Sequence, residues 1–583
     1  MTIYLFKKKL TAVICSLLFS SPFTSVLAQE FNWAQYIGGD KGDYIEEVAV
    51  DHHGNIIVSG QTSSTGMATN GAYQTTKSGA NDFFISKYRS NGTLVWCTYY
   101  GGNDKDYLFA MTIDASDNIY VGGETKSTSG VASSGAYQTT NGGDWDALLV
   151  KFDSSGNRKW ATYFGGNKVE QLLCCATDER GNIYIGGYTQ STSNVATPNG
   201  YQTTYGGGEG DAFVAKFGPA GVIKWATYYG GELEDRFHGL EIDHKGNVIT
   251  CGTTPSLNGI ATSGAFQTTS GGANDAFLAK FTGSGGLQWA TYYGSYGSER
   301  GRECSVDNLN NIYVTGFTTS DSLMATPGAY QYKRTPGINP DSSATNEMFL
   351  AKFSSSGNRI WSTYYGGKEN ETPRGVVWHN GLLAVSGLTE SKTKIATSDA
   401  LQPHIGGGQD AYVAVFTDDG SREWATYYGG AENEMLGQGY GPDVDFDADG
   451  NLVVAFTTLS DSLPALNSFY GDQTHTDGML VTITTNFFQR LQQNNFSDIN
   501  PALSIYPNPA RKEVSIVIES YTIMNAVFRL NDLSGKTLMA KNIFLKEGEN
   551  MVTLDLHSFQ QGCYITSVIL EDGRILSQKL MKQ

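Results

Sequence analysis

The sequence predicts an all-β chain on three observations. A W-x-T-Y-Y-G-G landmark, exact or in variant form, recurs seven times; β-branched and aromatic runs fill the intervals; and Gly, not Pro, punctuates them. The architecture expected is a seven-bladed β-propeller of four-stranded blades, its N-terminal strand closing the last blade, followed by a small β-sandwich. The 583 residues include 70 Gly, 14 Pro, 33 Tyr and 28 Phe. That aromatic content excludes disorder, and scarce Pro without a Gly-x-y period excludes collagen.

The N-terminus reads as an export signal. Lys7–Lys9 form a basic region, Leu10–Ser20 an apolar one, and Val26-Leu27-Ala28 a small-residue cleavage site before Gln29. The apolar run is too short to span a bilayer, and no later stretch reaches the required ~18 residues, so no transmembrane segment is expected. Ile14 before Cys15 lacks the small residue that a lipoprotein site needs. The expected organisation is a signal peptide at 1–28, a propeller at 29–486, a Gln/Asn-rich linker at 487–500 and a C-terminal domain at 501–583.

The formal charge is −18, or −21 without the three Lys of residues 1–28. Nucleic acid needs a basic face, which argues against it as a partner, and anionic lipid surfaces are disfavoured likewise. Residues 498–583 hold nine basic and nine acidic side chains, so the net charge belongs to the repeats. After cleavage six Cys remain, without C-x-x-C spacing, and they read as small buried hydrophobes.

The landmark tryptophans are Trp33, Trp96, Trp160, Trp225, Trp289, Trp361 and Trp424, spaced 63, 64, 65, 64, 72 and 63 residues apart. The long interval contains an insertion near Tyr332–Thr345. Each interval holds four strand-like runs, a to d; in the third these are Phe237–Asp243, Asn247–Thr253, Asp275–Phe281 and Leu287–Tyr293. Phase decides the topology. The array opens with a lone d strand, Asn32–Ile37, and ends with a lone c strand, Asp477–Thr484. A closed ring explains that cut, because the first strand completes the last blade and removes an exposed edge. The tail alternates as a sandwich of seven short strands between Leu503 and Met581, with Ser534-Gly535 and Asp572-Gly573 as hairpin turns.

Two resemblances follow from these motifs. W-A-T-Y-Y-G-G, the hairpin Gly181–Gly186, G-A-Y-Q-T-T at Gly135–Thr140 and D-A-F-V-A-K-F at Asp211–Phe217 resemble the SBBP β-propeller repeat. The a–b hairpin also resembles NHL-type blades, which implies strand a at the central channel and d outside. The family implies an exported propeller with no shared catalytic activity. Leu503–Pro509, Asp532–Lys536, Gly562-Cys563-Tyr564 and Lys579–Lys582 resemble the type A sorting domain of the type IX secretion system of Bacteroidetes-like bacteria. Cys563 departs mildly, standing where an aliphatic residue is usual. This resemblance implies periplasmic transit, recognition by the secretion machinery, and a secreted or outer-surface location.

No catalytic signature is found: there is no H-E-x-x-H and no G-x-S-x-G, and the eight His lack metal-ligand spacing. The landmark tryptophans read as wedge packing; Trp145 lies outside their register and is a candidate ligand contact. The acid before strand c (Asp82, Asp146, Asp211, Asp275, Glu347, Asp410, Asp477) reads as a loop cap. Asp443, Asp445, Asp447 and Asp449 resemble the start of a calcium loop, but Phe456 occupies the twelfth position, where an acid is required, so a hairpin turn competes with a partial calcium site. If strands alternate, the d–a and b–c loops share one face, and the d–a loops are acidic. Asp43, Asp104, Asp106, Glu232, Glu234, Asp235, Glu299, Glu369 and Glu432 are the candidate ligand-binding residues there; a solvated rim is the alternative. The favoured function is a non-enzymatic exported propeller binding a protein or glycan through this face. A propeller-type polysaccharide-degrading enzyme and a structural surface-layer or matrix protein are the alternatives.

Overall fold

The computed structural model describes residues 29–435, 441–461, 463, 476–485, 503–506, 510–520, 524–532, 536–546, 548–570 and 575–583. The export signal, the linker and both tail turns named above lie outside the described residues. The chain divides into two compact units, Met1–Asn486 and Phe487–Gln583. Both are built from antiparallel strands, and among the described residues there is no helix.

The first unit repeats one sheet. Sheet 1 comprises Asp43–Val50, Ile56–Thr62, Asp82–Tyr88 and Leu94–Tyr100, hydrogen-bonded in chain order. Sheet 2 begins at Asp106, sheet 3 at Glu170, sheet 4 at Arg236, sheet 5 at Glu299 and sheet 6 at Glu371, each with four strands in chain order. The strand-like runs of the sequence therefore fall where strands form. The fold is an all-β, propeller-like repetition of four-stranded sheets. Sheet 7 is assembled from both ends of the unit: Glu434–Met435 and Asp443–Phe446 both pair with Leu452–Thr458, that strand pairs with Asp477–Thr484, and Asp477–Thr484 pairs with Glu30–Ile37. The register matches Trp33 with Thr482 and Ile37 with Gly478.

Aromatic side chains fasten the long loop within each sheet and join neighbouring sheets. The first Tyr of each T-Y-Y run reaches a serine carbonyl at the start of the long loop after the second strand, as Tyr163 to Ser127 at 2.6 Å and Tyr292 to Ser256 at 2.8 Å. Tyr36, on the N-terminal strand, makes the same bond to Ser460 of sheet 7 at 2.8 Å. The tryptophans lie over the turn that joins the last two strands of the next sheet. Trp96 Nε1 donates to Ser154 O at 3.3 Å, Trp225 Nε1 to Gly283 O at 3.1 Å and Trp361 Nε1 to Asp418 O at 3.0 Å. A glycine with positive φ sits under each ring, as Gly156 under Trp96, where a Cβ would come within 3.0 Å. Trp424 donates instead to Asp399 O of its own sheet, at 3.3 Å. Its neighbour, sheet 7, has no turn between its last two strands, because the chain is cut there.

Five sheets bury an ion pair beneath the turn between their first two strands, such as Lys280 Nζ to Asp243 Oδ2 at 2.7 Å. Cys97, Cys174, Cys251 and Cys304 are buried free thiols, and Cys175 and Cys563 are partly buried. The insertion of the long interval adds only a short bridge between Ile338 and Ala344.

The second unit stacks two sheets. Leu503–Tyr506, Glu513–Ser520 and Gly548–Asp555 form one; Thr537–Leu545, Met524–Asp532, Gly562–Leu570 and Ile575–Lys582 form the other. Ile516, Phe528, Leu530, Val568 and Leu580 fill the space between them.

Candidate functional site

The first strand of each sheet contributes to one central cavity of about 330 Å³, lined from Glu47 in sheet 1 through Glu241 and Glu303 to Asp443 and Asp445 in sheet 7. Arg374 from sheet 6 reaches into this group and pairs with Glu47. One guanidinium cannot balance five carboxyls in so enclosed a space. Burial pushes Glu303 up to about 8 and Glu241 and Asp445 each to about 7. Glu47 also rises well above the carboxylate range through burial, although Arg374 opposes it.

At the loop-bearing end of the cavity the repeat breaks down. The residue that follows the acid at the start of each first strand, paired with the penultimate residue of the second strand in the four-stranded sheets, gives Tyr44/Gln61, Tyr107/Glu124, Gln171/Tyr188, Arg236/Thr253, Arg300/Phe317 and, after a longer second strand, Thr372/Leu388. Sheet 7 gives Met435/Thr457. The acid before the first-strand member and the Thr after the second-strand member recur in every sheet, whereas these pairs differ in all seven. Sheets 2 to 4 link theirs into one network. Gln171 Nε2 donates to Glu124 at 2.9 Å, Arg236 Nη1 to Gln171 at 3.0 Å and Arg236 Nε to Glu234 at 2.7 Å. The Arg236 guanidinium lies 3.8 Å over the ring of Tyr188. Burial holds Glu124 near 7 despite its Gln171 hydrogen bond. Trp145, half-buried, stacks on Tyr107 at 5.3 Å with Lys126 Nζ 4.9 Å from its ring.

The acids named from the sequence fall into two groups around this ring. Asp43, Asp106 and Glu299 start first strands, Asp235 immediately precedes one, and all four are fully buried. Each accepts the amide of the loop before it, from Gly39, Gly102, Gly231 and Ser295 respectively, all at 2.8 Å. Serine hydroxyls add to this, such as Ser64 to Asp43 at 2.7 Å and Ser256 to Asp235 at 3.1 Å. A second buried acid, the one before strand c, flanks the same glycine: Asp82 and Asp106 both crowd Gly101, and Asp211 and Asp235 both crowd Gly230. With two carboxyls so close, burial lifts Asp106 and Asp235 to about 7 and Asp211 to about 6. These side chains fasten loops and do not present charge to solvent. Asp104, Glu232, Glu369 and Glu432 are exposed on the loops, and Glu234 is held by Arg236.

The four aspartates of the calcium-like run take separate partners. Asp443 accepts Val48 N at 2.9 Å and Asp445 accepts Val50 N at 2.8 Å, both across to sheet 1. Asp447 caps its own turn through Asp449 N and Asn451 N, at 3.0 and 2.8 Å, and Asp449 is exposed.

The variable ring lies one residue beyond the acids that the sequence singles out. Its signal was nonetheless present: aligned on their buried acid, the seven units carry Tyr, Tyr, Gln, Arg, Arg, Thr and Met at the following position.

Residues 504–583 match the model of a secretion system C-terminal sorting domain. That tail implies handling by the type IX secretion machinery and delivery to the cell surface or the medium. Among curated proteins, an uncharacterized WD repeat-containing protein of Acanthamoeba polyphaga mimivirus is 22% identical over 451 residues, covering 64% of this chain and 32% of that protein. The regulatory protein FlaEY of Caulobacter vibrioides is 29% identical over 170 residues, covering 28% of this chain and 17% of its own. The chain thus spans a third or less of the curated relatives it matches. Similar solved structures include a DUF4221 family member from Bacteroides vulgatus, with 10% identity, 67% of this chain and 98% of that chain covered, and a TM-score of 0.32. Synechocystis apocarotenoid oxygenase gives 9% identity, 89% and 98% coverage, and a TM-score of 0.34.

Proposed function

We propose that this chain is an exported, non-enzymatic seven-bladed propeller of SBBP type that binds a protein or glycan at the mouth of its central channel. In this reading a signal peptide at 1–28 is removed, residues 29–486 close into the ring, 487–500 tether the tail, and 501–583 serve as the sorting domain. One observation carries the binding role: a ring of residue pairs that differs in every sheet, set beside an acid and a threonine that recur in all seven. Where the scaffold fixes the choice, as at that acid and threonine, the residue repeats; the pairs that vary beside the loops are the positions free to serve recognition. Trp145, Tyr107 and Arg236, the last backed by the buried ring of Tyr188, supply the flat rings and the planar cation that recognition surfaces favour. The exposed Asp104, Glu232, Glu369 and Glu432 set the sign of the surrounding field.

The test is to screen the mature chain on glycan and protein arrays with and without calcium, and then repeat any hit with Trp145→Ala and Arg236→Ala. Binding weakened at least tenfold in both variants supports the reading; no binding under either condition overturns it. A second reading, a polysaccharide-degrading enzyme, draws on Glu303, lifted by burial to about 8, beside the Arg374–Glu47 pair in the cavity. Release of reducing ends or unsaturated sugars, lost in Glu303→Gln, would favour it instead.

A further inference from the structure

The turn between the first two strands of a sheet repeats as Asp-x-x-Gly-Asn, and its leading Asp folds back on the turn's own amides, as Asp51 does on Asn55 N at 2.8 Å. Between sheets 1 and 2 this pattern changes. Asp51-His52-His53-Gly54-Asn55 faces Asp114-Ala115-Ser116-Asp117-Asn118, and Asp117 occupies the glycine position with φ +57°. The Asp117 carboxylate gathers both histidines: His52 Nδ1 lies 2.8 Å from one oxygen and His53 Nδ1 lies 2.7 Å from the other. Ligand atoms of Asp51, His53 and Asp117 all lie within 4.8 Å of one another. The two carboxylates are buried, with side chains 1% and 9% exposed, while the His53 ring is 77% exposed. The group is therefore anchored in protein on one side and open to solvent on the other.

The equivalent clasp between sheets 4 and 5 does without most of these groups. There His244 N donates to Asn310 Oδ1 at 2.9 Å, Asn310 holds φ +63°, and Lys245 stands where His53 does. The matching bond, His52 N to Asp117 Oδ1 at 3.1 Å, already joins sheets 1 and 2. Holding the two turns together thus requires neither a carboxylate at 117 nor an imidazole at 53.

We propose that His53, Asp117 and Asp51 form a site for a borderline divalent transition-metal ion of the Zn²⁺ class. An imidazole nitrogen beside carboxylate oxygens suits Zn²⁺ better than Ca²⁺, which takes oxygen ligands. Tetrahedral ligands that each sit about 2.0–2.1 Å from such an ion are about 3.3–3.4 Å apart, so an ion replacing the proton between His53 Nδ1 and Asp117 Oδ2, now 2.7 Å apart, needs the exposed His53 ring to withdraw by only about 0.6 Å. His52 steadies the remaining oxygen of Asp117, the outer-shell role that orients a carboxylate ligand. Lys87, 2.7 Å from Asp51 Oδ2, offsets one of the two negative charges and anchors Asp51 from behind. Water completes the coordination on the exposed side.

Isothermal titration of the full mature chain with ZnCl₂, and separately with CaCl₂, tests this site. Two variants copy residues that the repeat already tolerates: Asp117→Asn reproduces Asn310, and His53→Lys reproduces Lys245. The expected result is one Zn²⁺ per chain at about micromolar affinity, weakened roughly 10- to 100-fold in each variant. Calcium should give no comparable heat, and metal-free melting should stay unchanged. Absence of stoichiometric Zn²⁺ binding, or binding equally tight in both variants, overturns the proposal.

Discussion

Trp33 lies over Gly92: its ring atoms stand 3.3 Å from where a Cβ on that glycine would be, and its Nε1 donates to Ser90 O at 2.8 Å. Trp33 belongs to sheet 7 and Gly92 to sheet 1, so this contact joins the two ends of the repeat series.

Trp33→Ala should therefore act on the whole first unit. Trp33 is 6% exposed, and truncating a buried Trp costs about 3–5 kcal/mol. Removing Glu30–Ile37 should be worse, because it leaves Asp477–Thr484 as an open edge. Urea unfolding followed by tryptophan fluorescence, with light scattering for aggregation, checks both. A truncated chain that stays monomeric with an unshifted midpoint would count against closure by this strand.

The buried Lys280–Asp243 pair allows a contrast. Its side chains are 4% and 0% exposed, so Lys280→Met strands a carboxylate and should cost about 3–5 kcal/mol. Lys159 and Asp153 are 3.7 Å apart with Lys159 53% exposed, and Lys159→Met should change stability by less than about 1 kcal/mol. Paired denaturation curves give both values.

Stability should decline between about pH 4 and pH 8. Asp106 and Asp235 titrate near 7 and Glu371 near 8 when folded, against roughly 4 when unfolded. Because the folded state holds these protons longer, their contribution is complete below the unfolded value and is lost as pH rises through the folded one. Asp114, Asp178 and Asp243 are shifted downward despite burial, because Asn and Lys partners hold them, and their effect appears only in stronger acid. Melting midpoints across this range should fall with pH, and Asp106→Asn should flatten the slope. A midpoint that rises steadily from pH 4 to 8 would contradict the assignment.

Leu580 is fully buried between the two sheets of the tail. Leu580→Asp should unfold that unit and trap the chain in the periplasm, whereas Met581→Asp, at a side chain 41% exposed, should be exported normally. Fractionation of the native host followed by immunoblotting distinguishes them; equal export of both would show that recognition does not depend on a folded tail.

The sequence alone determined the strands, their order and the pairing of Glu30–Ile37 with Asp477–Thr484, because strand formation follows local composition and the phase of the cut is visible in one dimension. It also marked the tail as a sorting domain through linear motifs. Tertiary structure decided which acids meet solvent. Asp43 and Asp104 read alike in sequence, yet one is buried against Ser64 and the other is exposed. It also decided what faces the channel. A register shift interrupts the first strand of sheets 1 to 6, between Ile45 and Glu47 in sheet 1 and between Gly301 and Glu303 in sheet 5, so the in–out alternation fails there. The position of Arg374 among Glu47, Glu303 and Asp443 arises from residues hundreds of positions apart, which only the packing of sheet against sheet brings together.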